Sequence, residues 1–173
     1  ASFQLSTKTS NSEIEVFNGP DGVESFNKKL KKHFGNKLSN EKPYLNADQI
    51  MEITAITVLS LKKALDQTIV LSQKLKSKKS NIIAIGRPMY IGMRHQLDFP
   101  ETFNKKKLLE TALQFSNKTP KEVHELYPRI AEHFLLASQA SLIYVYCIME
   151  ATGIENMTIA VARPTDYLAE ATN

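Results

Sequence analysis

The sequence predicts an α/β layered domain, a sheet with helices on both faces, and three observations carry that prediction. Two short runs of extended character, residues 2–7 and 13–17, open the chain. Two compact apolar runs, residues 81–85 and 157–162, read as buried strands, and Gly86 ends the first of them. Segments with apolar residues at helical spacing fill the intervals between these runs.

The polar stretch 8–12 suits a hairpin turn, which makes the first two runs adjacent antiparallel strands. Asn18-Gly19-Pro20-Asp21-Gly22 then punctuates the chain. Val23, Phe26, Leu30 and Phe34 follow at helical spacing until Gly35, which predicts a basic amphipathic helix. Residues 36–45 are polar, contain a proline and read as a loop. A long helix begins with Asn46 as its cap and Gln49 three residues on, and carries Ile50, Ile53, Ile56, Val58, Leu61 and Leu65 along its apolar face. The β-branched residues at 54–58 leave open whether the stretch 46–75 is one helix or two. A lysine run connects it to the strand at 81–85. After an irregular segment rich in Gly, Met and Pro, helices are predicted at 104–115 and 120–126. A long helix at 128–152, apolar on nearly all sides, is closed by Gly153. The strand at 157–162 precedes a short helix opened by Thr165.

At 173 residues with 42% apolar content, the chain suits one compact domain and is too short for two substantial ones. The longest apolar stretch, 134–149, is interrupted by Ser138, Gln139 and Ser141 and is short for a bilayer, so a soluble protein with no membrane partner is expected. Cys147 is the single cysteine, so no internal disulfide can form. A reducing, cytoplasmic setting fits it, with the side chain serving as a small buried hydrophobe. The chain opens Ala1-Ser2-Phe3-Gln4-Leu5 without a methionine and enters a strand at once, which predicts further residues upstream.

The net charge of +4 is concentrated in lysine clusters: Lys28, Lys29, Lys31 and Lys32; Lys74, Lys76, Lys78 and Lys79; and Lys105 to Lys107. Such runs are usually solvated faces. As binding surfaces they favour an anionic small ligand or polymer over nucleic acid, since aromatic interleaving, zinc spacing and a recognition motif are all missing.

In open α/β sheets, ligands gather at the carboxyl ends of strands, which selects the loops after Phe17, Ile85 and Val161. In Gly86-Arg87-Pro88 a guanidinium beside a glycine can grip an oxyanion, while a purely structural turn explains the same residues. The loop at Gly19 can present backbone N–H groups to an anion, with Lys28 and Lys32 on the helix behind it, or serve only as turn and cap. His33, His95, His124 and His133 are scattered without metal spacing. The sequence contains no nucleophile elbow, complete Walker loop or paired-carboxylate motif, so no residue is assigned a catalytic role and the chain is not expected to act alone as an enzyme.

Ala1-Ser2-Phe3-Gln4 is similar to the tail of a phosphate loop in the exopolyphosphatase/guanosine pentaphosphate phosphatase family, a branch of the sugar kinase and actin-like ATPase superfamily. That loop reads DxGG, then Gly or Ala, Ser, any residue, and Glu or Gln. Ile14-Glu15-Val16-Phe17-Asn18-Gly19-Pro20 resembles the second strand and turn of the family's second actin-like domain, especially in fungal members. Ile82-Ile83-Ala84-Ile85-Gly86 resembles the strand before its second glycine-rich loop, commonly GxGG, which here reads Gly86-Arg87-Pro88-Met89. The closing third follows the family's order of helix, short helix, long apolar helix with Ser138-Gln139-Ala140-Ser141, and strand. Where the family continues into a GLREG-like segment, this chain has Asp166-Tyr167-Leu168-Ala169-Glu170.

The resemblance implies an actin-like (ribonuclease H-like) α/β domain with helices on both faces of a mixed sheet, forming the C-terminal half of a two-domain protein. It places Ser2 and Gln4 on the first phosphate loop and Gly86 with Arg87 on the second. It further implies polyphosphate or a guanosine or adenosine polyphosphate as ligand, with magnesium in the cleft between domains. The partners it implies are the N-terminal actin-like domain and a second copy in a homodimer. In the family the carboxylate that positions the attacking water belongs to the first domain, so this chain would bind phosphate for a phosphoanhydride hydrolase rather than catalyse. The alternatives are a non-catalytic nucleotide or phosphate sensor, like the fungal members in retrograde signalling, and a basic scaffold domain.

Overall fold

In the computed structural model, which describes residues 3–8, 14–66, 82–84, 92–98 and 100–159, the two opening runs pair as their sequence predicts. Strands β1 (Gln4–Lys8) and β2 (Ile14–Asn18) are antiparallel, with Leu5 opposite Phe17 and Gln4 opposite Asn18. Helix α1 (Val23–Phe34) buries Phe26, Leu30 and Phe34, spaced four apart along one stripe, and leaves its lysines in solvent. Lys31, Lys32 and His33 fall in its last turn, where cations complement the helix dipole. A 3₁₀ turn at Gly35–Lys37 leads into the loop.

Helix α2 (Ala47–Leu65) starts with a reciprocal cap: the Gln49 N–H donates to Asn46 Oδ1 at 3.0 Å and the Asn46 N–H to Gln49 Oε1 at 2.9 Å. Its buried face is narrower than its sequence suggests. Ile50, Ile53, Thr54, Leu61 and Leu65 are buried, whereas Ile56 is 51% exposed and Val58 only half-buried. At 3.6 residues per turn, position 56 lies about 120° from the centre of the buried stripe, so its apolar character cannot reach the core.

Strand β3 (Ile83–Ala84) and a helical turn at Arg94–Gln96 precede β4 (Thr102–Asn104), a strand whose three residues read in sequence as the approach to a helix. Asn104 then caps α3 (Lys105–Leu113) by accepting the Lys107 N–H at 2.8 Å. Thr119 and Glu122 form a capping box on α4 (Pro120–Leu126), with Pro120 in its first turn. Helix α5 (Glu132–Thr152) begins after Pro128 rather than at it, because the Ile130 N–H closes a turn onto the Tyr127 carbonyl at 3.0 Å. Gly153 ends α5 at φ 73°, the left-handed conformation that a side chain disfavours, with its N–H bonded to the Met149 carbonyl. Strand β5 (Asn156–Ile159) is the middle of a mixed three-stranded sheet, parallel to β3 and antiparallel to β4. The helix expected from Thr165, the end of the 46–75 stretch and the turn at Gly86 lie outside the described residues.

Helix α5 is the hub of the core. It packs against α1, α2, α3 and α4, and Leu135, Leu142, Ile143, Tyr144 and Met149 on it are fully buried. Residues His133–Thr152 are long and apolar enough to cross a membrane by length and composition, and most of that stretch is buried inside this fold. One buried amide ties α5 to its surroundings. Gln139 accepts the Leu45 N–H at 2.8 Å and donates to the carbonyls of Leu45 at 2.9 Å and Ala112 at 3.1 Å. Cys147, about two turns further along α5, is buried, as expected of a small hydrophobe.

Candidate functional site

Two of the three loops selected by the sheet rule follow strands that are neighbours in the sheet. Ala84 pairs with Ile159 in the parallel β3–β5 ladder, so the chain runs out of both strands in the same direction. The described carboxyl ends of β3 and β5, Ala84 and Ile159, are therefore neighbours, on an edge of the kind where α/β sheets hold ligands. Gly86 and Arg87 themselves, and Ser2 on the other candidate loop, fall outside the described residues.

The third loop is built in detail. Phe3 and Gly19 bracket the end of the hairpin: the Gly19 N–H donates to the Phe3 carbonyl at 2.9 Å, and the Phe3 N–H donates to the Asp21 carbonyl at 3.0 Å. The Phe3 ring lies directly over Gly19, so that a Cβ there would collide with it. The same ring meets Phe17 and Tyr144, each at 5.8 Å between centroids. Tyr144 also donates its hydroxyl to the Asp21 carbonyl at 2.8 Å, anchoring the turn to α5. Burial keeps that phenol protonated, its pKa raised well above the usual value.

Gln4 and Gly19, two expected site residues, are thus brought to the same end of the hairpin. The Gln4 amide donates to Asn18 Oδ1 at 2.7 Å on the exposed surface. Behind them α1 begins at Gly22, which has no side chain to cap the first turn; the Ser25 hydroxyl accepts the Gly22 N–H at 2.8 Å instead. Such a start leaves backbone N–H groups of the first turn open to an anion.

The charges around this turn are of both signs. Lys28 pairs with Glu24 at 2.9 Å, an exposed i,i+4 contact, and the bond and charge of Lys28 hold the Glu24 carboxyl below its ordinary pKa. Lys29 pairs with Asp21, whose carboxylate is only 13% exposed. Lys32, one turn beyond Lys28, is exposed and has no ion-pair partner among the described residues. An anion approaching α1 therefore meets Lys32 directly and Lys28 only through exchange with Glu24. The arrangement can bind an anion, and no group in it is set up for proton transfer or nucleophilic attack.

An open groove of about 430 Å³ occupies the other end of the sheet, between Asn104, Lys105, Lys106, Leu109, Tyr146, Glu155 and Asn156. Asn104 and Asn156 pair where β5 begins, opposite the strand ends that carry the candidate loops. Lys105 there is clasped by Glu155 at 2.9 Å and Glu150 at 3.1 Å, contacts that raise its pKa. This member of the third lysine cluster is neutralised in place and offers no anion grip.

Among the described residues, no group of three or more His, Cys, Asp or Glu could hold a metal ion. His33 is engaged with Glu52 at 2.8 Å on the surface between α1 and α2. One residue that the sequence did not single out is Gln96. It is 5% exposed, and its amide Nε2 and Oε1 have no hydrogen-bond partner among the described residues. An amide in an irregular segment has no periodic neighbours, so nothing in the sequence marks it.

No family model matches the sequence, and no curated protein matches it. Among solved structures, the chain is similar to the Aquifex aeolicus Ppx/GppA phosphatase. A type II variant of that phosphatase superposes with a TM-score of 0.63 at 10% identity, covering 99% of this chain and 54% of that one. The structure of the Aquifex aeolicus PPX-GPPA enzyme gives 0.66 at 10% identity, with the same 99% and 54% coverage. A further structure of the Aquifex aeolicus family member gives 0.63 at 11% identity and covers 99% of this chain and 53% of that one. The chain spans about half the length of each of these proteins. It has their fold over nearly all of its own length, as a mixed helix-rich α/β domain of the actin-like kind.

Proposed function

We propose that this chain is the phosphate-binding half of a phosphoanhydride hydrolase resembling the Ppx/GppA phosphatases. The shared fold along nearly the whole chain carries the proposal. Two local features support it: the parallel exit of β3 and β5 beside the expected Gly86-Arg87 grip, and the hairpin turn that sets Gln4 and Gly19 ahead of an uncapped α1. Polyphosphate or a guanosine or adenosine polyphosphate is the ligand of this reading, and an N-terminal actin-like domain in the cytoplasm supplies the catalytic carboxylate.

Magnesium belongs to the reading only as an ion carried by the ligand. The described residues contain no ligand cluster for it, and magnesium commonly binds through substrate phosphates and few protein groups. The residues of this chain bind and orient phosphate oxygens: Arg87 by charge-assisted hydrogen bonds, the α1 amides by their free N–H groups, and Lys32 by long-range attraction.

A sensor of nucleotide or phosphate is the second reading. Pro88 favours it, because a proline where the family has a glycine removes an N–H from the second phosphate loop. Isothermal titration of the chain with polyphosphate, a guanosine polyphosphate, ATP and sulfate, with and without magnesium, tests both. Saturable binding that Arg87→Ala weakens by about tenfold is the expected result. Heats that vanish with salt and ignore Arg87→Ala would instead indicate a basic surface without a phosphate site. Hydrolysis by the two-domain protein then separates the hydrolase from the sensor.

A further inference from the structure

Asn18-Gly19 is the one Asn-Gly step among the 173 residues, and it falls where β2 gives way to the turn. An asparagine followed by glycine can modify itself. When the glycine nitrogen sheds its proton and attacks the asparagine Cγ, a C–N bond forms and the bond to the side-chain nitrogen breaks. The departing nitrogen takes up a proton and leaves as ammonia, and a succinimide ring remains. Water then opens the ring at either carbonyl, giving aspartate or isoaspartate, in which the main chain runs through the former side chain. Glycine permits the attack because no Cβ stands between its nitrogen and the carboxamide.

In the folded chain both reacting groups are restrained. The Gly19 N–H donates to the Phe3 carbonyl at 2.9 Å, and the Phe3 ring covers the buried glycine. Phe3 is itself fixed by its N–H bond to the Asp21 carbonyl and by its ring contacts with Phe17 and Tyr144. On the other reactant, Asn18 Oδ1 accepts the amide of Gln4, its partner across the β1–β2 ladder, at 2.7 Å. Asn18 is otherwise exposed, so water and hydroxide reach its carboxamide. Phe3 and Gln4 are consecutive residues, so lifting that one segment releases both reacting groups together. Local openings of this kind cost less than global unfolding.

We propose that Asn18 is a deamidation site gated by the Phe3-Gln4 clasp, closed while the clasp is seated and open when it lifts. The observed rate is then the open-chain rate multiplied by the fraction of time the clasp is lifted. The step is one-way. Isoaspartate adds a carbon to the main chain between β2 and the turn, which displaces the Gly19 N–H from the Phe3 carbonyl. Aspartate places a negative charge opposite Gln4. The site stands on the hairpin geometry and does not depend on the functional reading above.

Timed incubation of the whole chain in mildly alkaline buffer, native and in guanidinium, tests the proposal. Peptide mapping by mass spectrometry locates the product, and circular dichroism shows which variants are folded. The expected result is product at Asn18, formed in the native chain at least about tenfold more slowly than in denaturant. Phe3→Ala, which removes both ring contacts, raises the native rate about tenfold. Gln4→Ala, which removes one exposed hydrogen bond, raises it about threefold. Neither variant changes the rate in denaturant. Gln4 is exposed, so its variant keeps the fold even where Phe3→Ala does not. Equal rates in the native and denatured chain overturn the proposal, as does an Asn18 left intact in denaturant. A native rate unmoved by Gln4→Ala, or by a folded Phe3→Ala, overturns it equally.

Discussion

The Gln139 amide holds three segments of the fold at one point: the loop at Leu45, the end of α3 at Ala112, and α5 itself. Its three hydrogen bonds leave the Leu45 carbonyl doubly satisfied, because the Ser116 hydroxyl also donates to it at 3.0 Å. Gln139→Ala keeps that last bond, and the Ala112 carbonyl keeps the Phe115 N–H at 3.3 Å, but the Leu45 N–H is stranded in a buried setting. The variant is expected to lose about 1–3 kcal/mol, read as a lower urea midpoint at unchanged slope. In sequence Gln139 stands out only as an interruption of an apolar stretch, since its partner Leu45 lies 94 residues away and no local pattern connects them. Cys147 was more legible: a lone cysteine within an apolar helix is a buried hydrophobe, and burial pushes its thiol up to about 12, where it is inert.

At the scale of elements, the hairpin shows how a turn can be both structural and part of a site. Gly19 is required by the Phe3 ring above it rather than by its backbone angle. Gly19→Ala must push that ring off Phe17 and Tyr144, and is expected to cost about 1–3 kcal/mol through overpacking, measured by thermal unfolding. If the hairpin end also carries a phosphate, the same variant weakens titration with polyphosphate. Elements with chemical start and stop signals were readable from sequence: the Asn46–Gln49 box and the Gly153 cap appear as expected. Strand β4 was not readable, because three residues cannot show a period and their strand character comes from pairing with β5. Nor was the face of α2, where Ile56 looks like a core residue until the angle around the helix is counted. For the site, the neighbouring exits of β3 and β5 depend on a parallel pairing that no local pattern reveals, whereas the Glu24–Lys28 pair was already implicit in i,i+4 spacing.

For the whole molecule, the proton balance is lopsided toward alkali. Burial pushes Tyr44 up to about 12 and Tyr127 up to about 12, from an ordinary 10.0, and Cys147 up to about 12 from 9.0. The Glu155 and Glu150 carboxylates raise Lys105 above its ordinary 10.5. In each case the folded state keeps a proton that the unfolded chain releases first. The stability this confers is fully present below the unfolded value and is lost as pH climbs through the folded one. On the acid side, Glu24, Glu52 and Glu122 are lowered by hydrogen bonds from Lys28, His33 and Thr119, so their contribution is present above 4.5 and lost as pH falls through the lowered values. Those three carboxylates are fully exposed and solvent screens them, so the acid arm is shallow. Urea midpoints should therefore be nearly level at neutral pH and fall steeply between 9.0 and about 12. Tyr44→Phe isolates the cause. Its hydroxyl has no hydrogen-bond partner among the described residues, so the variant should match wild type at neutral pH and lose less stability in alkali. A variant profile that superimposes on the wild-type curve through the alkaline range would mean that the buried phenol of Tyr44 does not set it, leaving Tyr127, Cys147 and Lys105 as its source.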